Sequence, residues 1–123
     1  MLNLNSFLLF SEHPAKLAEF YKKVFQKDAA WSEGNYSGFD AGGAWITIGS
    51  HDKVKGKSKS PERIIFNLET KDVKGEFKRI KALGATVVKE PYAPDENSSM
   101  WVATFSDPDG NYFQLMSPWE DSK

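Results

Sequence analysis

The same order of elements runs twice along this chain, on either side of a lysine-rich interruption. Residues 4–10 are a short, mostly apolar run that ends at Ser11-Glu12-His13-Pro14, where polar residues and a proline predict a helix start. Leu17, Phe20, Tyr21, Val24 and Phe25 then fall on one helical stripe, with Lys16, Glu19, Lys22 and Lys23 on the wet side. Three strands follow near Ala29–Ser32, Tyr36–Asp40 and Ala44–Gly49, separated by the turn signals Gly34-Asn35 and Gly42-Gly43. Ser50–Pro61, SHDKVKGKSKSP, has no periodicity and reads as a linker or loop. Beyond it the order returns. Arg63–Thr70 is an apolar strand, Val73, Phe77, Ile80 and Leu83 form a stripe closed by Gly84, and strands are expected at Thr86–Glu90, Met100–Ser106 and Tyr112–Ser117. The halves share little residue identity, so the repeat, about 55–60 residues long, is one of topology.

A chain of 123 residues is one domain's worth, here residues 1–123 with a first module at about 4–49, a linker at about 50–61 and a second module at about 62–117. Sixteen basic against 17 acidic residues leave a net charge of −1, so no global field draws the chain to nucleic acid or to an anionic membrane. The absence of cysteine excludes a disulfide scaffold, a thiolate metal site and cysteine nucleophiles, and is compatible with a reducing compartment. No apolar run approaches the roughly 20 residues of a membrane span, and the first residues have no signal-peptide pattern, so a cytoplasmic location is expected.

Two segments carry a family resemblance: the helix Leu17-Ala18-Glu19-Phe20-Tyr21-Lys22-Lys23-Val24-Phe25, and Phe105-Ser106-Asp107-Pro108-Asp109-Gly110-Asn111-Tyr112-Phe113-Gln114-Leu115. The Asp-Pro-Asp-Gly-Asn stretch supplies side-chain acceptors, a preset φ and a residue free to take positive φ, the chemistry of a hairpin turn. With the repeated order and the chain length, residues 4–117 resemble the vicinal oxygen chelate superfamily of glyoxalases, bleomycin-resistance proteins and extradiol dioxygenases. The resemblance implies an α+β fold of two βαβββ modules, whose curved mixed sheets surround one pocket.

Metal-dependent members place His, Glu or Gln ligands on the first and last strands of each module. The equivalent positions here are Ser6, Thr47 (flanked by Trp45), Ile65 and Gln114. A register error of two would replace Ser6 by Leu4 or Leu8, and Ile65 by Arg63 or Asn67, which does not restore a ligand set. A divalent ion needs three or more convergent donors, ideally anionic. No metal ligands and no cofactor are therefore expected, with a divalent metal as the alternative.

Strand alternation assigns the pocket lining to Ser6, Leu8, Trp45, Thr47, Ile65, Asn67, Tyr112, Gln114 and Met116, while Ile64, Phe66 and Leu68 face the core. Such a lining suits a small, largely apolar or aromatic molecule; the same aromatics would equally close the sheets or pack a dimer interface. Asn67 either lines the pocket or bonds to neighbouring backbone. His51 and Glu69 are the candidate acid–base residues, and an exposed surface role competes for His51. His13 reads as a helix cap or loop residue, and the lysines of 50–61 as either an anion-binding lid or a solvated face. Three functions stay open: metal-free binding of a small molecule, similar to the antibiotic-sequestering members; a metal-dependent lyase, isomerase or dioxygenase; and a metal-free enzyme using His51 or Glu69. A homodimer is the expected assembly, because sheet edges invite closure about a two-fold axis.

Overall fold

The computed structural model describes residues 1–97 and 99–119. The chain divides into two compact units, the first ending at Lys57 and the second beginning at Ser58. In the first unit, β1 (Ser6–Phe10), α1 (Pro14–Phe25), β2 (Trp31–Glu33), β3 (Tyr36–Asp40) and β4 (Trp45–Gly49) build a sheet of order β1-β4-β3-β2. In the second, a turn of 3-10 helix at Pro61–Arg63 leads to β5 (Ile65–Glu69), α2 (Val73–Ala82), β6 (Thr86–Tyr92), β7 (Val102–Ser106) and β8 (Tyr112–Met116), in the order β5-β8-β7-β6. Each unit is a βαβββ module. Its first strand runs parallel to its last, and the remaining ladders are antiparallel.

One face of each sheet is covered by the module's own helix, and that is where the large apolar residues go. Leu17, Tyr21 and Val24 of α1 are buried with Phe39, Ile46 and Ile48, and Phe25 meets Phe39 at 6.1 Å between ring centroids. In the second unit Val73, Phe77 and Ile80 of α2 are buried with Ala103, Phe105, Phe113 and Leu115; the Phe77, Phe105 and Phe113 rings stack in series at 5.1 and 5.6 Å. Burying aromatic surface of this kind is the main source of stability in so small a module.

Local chemistry fixes the ends of the elements. Asp72 caps α2, its Oδ1 accepting from the Gly75 amide at 2.9 Å, and Gly84 takes φ +94° just beyond the helix. His13 occupies the N-cap position of α1, yet its side chain makes no capping bond; the buried Ser11 hydroxyl accepts from the His13 amide at 2.8 Å instead. The Asp-Pro-Asp-Gly-Asn turn is held by Asp107, whose Oδ1 accepts from the amides of Asp109 and Asn111 at 2.9 and 3.0 Å.

Several expected strand bounds need correction, among them the strand expected from Met100, which starts at Val102. The first strand begins at Ser6, and the second covers Trp31–Glu33 in place of 29–32. Arg63 belongs to the 3-10 turn, so β5 starts only at Ile65. Ile64 therefore leaves the predicted core face and is 77% exposed.

Candidate functional site

The face of each sheet turned away from its helix holds the predicted lining residues. In the first sheet the register sets Ser6 beside Trp45 and Leu8 beside Thr47, and the next row pairs Phe10 with Gly49. The same rows continue onto β3 and β2: Thr47 stands opposite Gly38, and Gly38 opposite Trp31. In the second sheet Ile65 is beside Tyr112, Asn67 beside Gln114, and Glu69 beside Met116. These rows continue to Ser106, Thr104 and Val102 on β7. Ser6, Leu8, Trp45 and Thr47 thus share one face in the first unit, and Ile65, Asn67, Glu69, Tyr112, Gln114 and Met116 share one face in the second. His51 lies in the first unit, in the loop after β4.

The far face of the first sheet carries more aromatic surface than alternation along β1 and β4 discloses. The indole of Trp31 lies over Gly38, in the space a Cβ there would fill, and the ring of Tyr36 lies in the same way over Gly49. Glycine in a strand is costly unless something uses the gap, and a cross-strand aromatic ring does so. Tyr36 donates its hydroxyl to the Ser50 carbonyl at 3.2 Å and meets Phe10 edge-on at 6.5 Å. Phe10 in turn contacts the His51 imidazole at 5.3 Å. Trp31, Tyr36 and Leu8 nevertheless remain 43, 39 and 58% exposed. Trp31, Tyr36 and Phe10 were not among the expected lining residues; Trp31 and Tyr36 are placed by pairing across to Gly38 and Gly49, which the sequence alone does not name.

His51 is oriented by its own loop. Its Nδ1 lies 3.1 Å from the Lys53 amide nitrogen, which donates to it, and 3.3 Å from a carboxylate oxygen of Asp52. One nitrogen cannot accept from Lys53 and donate to Asp52 at once. The directed amide bond governs, because the Asp52 side chain is 89% exposed and its attraction is screened by water. That bond engages Nδ1 with the backbone of its own loop. Further along the same loop, the Gly56 amide donates to the carboxylate of Glu12, which lies between β1 and α1, at 3.0 Å. This bond holds the Glu12 carboxyl below the ordinary glutamate range, with a little help from the charges of His13 and Lys55.

The four positions expected to correspond to metal ligands carry few donors. Ser6 and Thr47 offer neutral hydroxyls, Gln114 a neutral amide and Ile65 nothing. Among the described residues, no three His, Asp or Glu side chains gather into a group able to hold an ion.

Two βαβββ modules, each with a parallel first and last strand and one helix on its sheet, define the vicinal oxygen chelate superfamily. Residues 6–116 match the model of the glyoxalase-like domain, and the chain belongs to that family. Several solved structures share its fold. A glyoxalase/bleomycin resistance protein/dioxygenase family enzyme from Burkholderia phytofirmans PsJN is 21% identical with a TM-score of 0.74, over 94% of this chain and 98% of that one. The fosfomycin resistance protein FosX from Listeria monocytogenes is 22% identical with a TM-score of 0.67, over 97% and 93%. TioX from Micromonospora sp. ML1 is 16% identical with a TM-score of 0.69, over 94% and 98%. No curated protein matches the chain significantly in sequence. At these identities the structural likeness is one of fold. No helix among the described residues is long and apolar enough to cross a membrane.

Proposed function

We propose that this chain is a small-molecule-binding protein that holds a largely apolar or aromatic organic ligand on the far face of its first sheet without a metal centre. The exposed aromatic face of the first sheet carries this reading, above all the Trp31 indole laid over Gly38. A ring held flat on the sheet presents its other side to a planar ligand, and so rigid a side chain gives up little conformational entropy on binding. The donor chemistry at Ser6, Thr47, Ile65 and Gln114 supports the metal-free part of the proposal. The Lys53 amide engages Nδ1 of His51, which favours binding over catalysis with that nitrogen as base.

Thermal unfolding against a panel of planar aromatic compounds tests the reading. A ligand should raise the transition temperature of the natural chain by mass action. Trp31→Ala should lose at least tenfold in affinity while keeping its circular dichroism; equal stabilisation of both proteins would refute the role of Trp31. Elemental analysis of protein carrying no histidine tag, before and after incubation with Zn, Ni, Mn and Fe(II), should find no stoichiometric ion. One tightly bound ion per chain would instead favour the metal-dependent lyase or dioxygenase.

A further inference from the structure

Lys89 reaches the far face of the second sheet because β6 carries an extra residue. Thr86 stands opposite Ser106 and Val87 opposite Phe105, but the next pair is Lys89 with Thr104, so Val88 has no counterpart on β7. Unbroken alternation from Thr86 would send Val88 to the far face and turn Lys89 towards the helix side, where Phe105 is fully buried. The bulge reverses this. It delivers the only cation in these rows to the one that also contains Asn67, Gln114 and Thr104, in register across all four strands. Bulges interrupt a ladder and recur where a side chain has to be re-aimed.

The row is made of hydrogen-bond donors: two carboxamides, a hydroxyl and an ammonium. Thr104 is 6% exposed and Gln114 is half-buried, while Lys89 and Asn67 at the two ends of the row are open to solvent. A hydrogen bond to a charged group is stronger where its donor is buried, as the Thr104 hydroxyl is. The Lys89 ammonium lies over the Tyr92 ring at 5.2 Å from its centroid, which holds the side chain along the sheet. The nearest facing carboxylate on β5, Glu69, is one row away and three strands distant, about 14 Å at the usual strand spacing. Its repulsion falls on Asn67 and places an anion at the Lys89 end.

We infer that Gln114, Thr104 and Lys89 form a binding site for a carboxylate. A single cation matches a single negative charge, which favours a carboxylate over a doubly charged phosphate. The inference rests on the proposed ligand-binding function and specifies a small organic acid as the ligand of the second sheet. An outer strand also uses lysines and bulges to discourage edge-to-edge pairing, but that role asks nothing of Thr104 or Gln114 and requires no ligand.

Nitrogen-15 spectra of the full chain test it, with the side-chain amide of Gln114 as reporter and sodium acetate as probe, at ionic strength held constant with sodium chloride. Acetate should shift the Gln114 amide saturably. Lys89→Met should weaken the binding at least tenfold, Lys89→Arg should restore most of it, and Thr104→Val should weaken it with the spectrum otherwise unchanged. A response that does not saturate, an identical titration in Lys89→Met, or tighter binding of inorganic phosphate would overturn the assignment. Indole, an uncharged planar probe, is titrated in parallel against the Trp31 and Trp45 side-chain N–H signals. Indole binding without acetate binding sinks the carboxylate site alone; acetate binding without indole binding sinks the aromatic reading and leaves the oxyanion site standing.

Discussion

Single residues in this chain do their work mostly through backbone groups. Glu12 is the clearest case, because one exposed carboxylate holds the lysine-rich loop by the Gly56 amide. A carboxyl held below its ordinary range in the folded chain favours the folded arrangement above the unfolded value, and loses that contribution as pH falls through the lowered folded value. The loop contact should therefore be intact at neutral pH and released only in acid. The Gly56 amide proton shift should titrate with a midpoint below that of an ordinary glutamate, and Glu12→Gln should abolish the transition. A Gly56 signal insensitive to acid would show that the contact is not populated in solution. Asp107 works similarly, spending its carboxylate on two turn amides. The sequence disclosed that turn, because Asp-Pro-Asp-Gly-Asn encodes its geometry locally. His51 was legible as a candidate but its orientation was not, since the donor to Nδ1 is a backbone amide rather than a recognisable side chain.

At the scale of elements, the helices and the Gly84 stop of the second followed from the pattern, whereas the Asp72 cap was not read and the His13 side chain does not cap. Asp72 provides a direct check: Asp72→Ala should cost about 1 kcal/mol, the usual loss for an N-cap, read as a lowered urea midpoint with unchanged slope. An unaltered midpoint would mean the Gly75 amide finds an equal partner elsewhere. Strand type and order were also legible, because alternation and turn residues are local signals. The strand ends were not. Ile64 looked like core since it continues an apolar run, but the 3-10 turn at Pro61–Arg63 delays the strand by two residues and leaves Ile64 outside. The bulge at Val88 was invisible for a related reason. Val87 and Val88 read as continuous strand, and only pairing with β7 shows that one of them is extra. The aromatic face was half legible: Trp45 followed from alternation on β4, whereas Trp31 and Tyr36 are placed by cross-strand glycines whose partners the sequence does not name.

For the whole molecule, the expected homodimer is a proposal that the exposed apolar residues of the first unit support. Leu2, Leu4 and Leu8 are 99, 76 and 58% exposed, and β1 is an outer strand of its sheet. Sedimentation velocity at micromolar concentration should give a dimer, and replacing Leu2 and Leu4 by Ser should shift it towards monomer. A monomer at every concentration tested would dispose of the proposal. The topology bears on synthesis as well. In each module the last strand made lies inside the sheet, beside the first: Ser6 pairs with Trp45 and Ile65 with Tyr112, each across nearly the whole module. A ribosome must therefore deliver β4 or β8 before β1 or β5 gains its neighbour. Until then an apolar strand waits with both edges unpaired, the condition in which nascent chains aggregate or recruit chaperones.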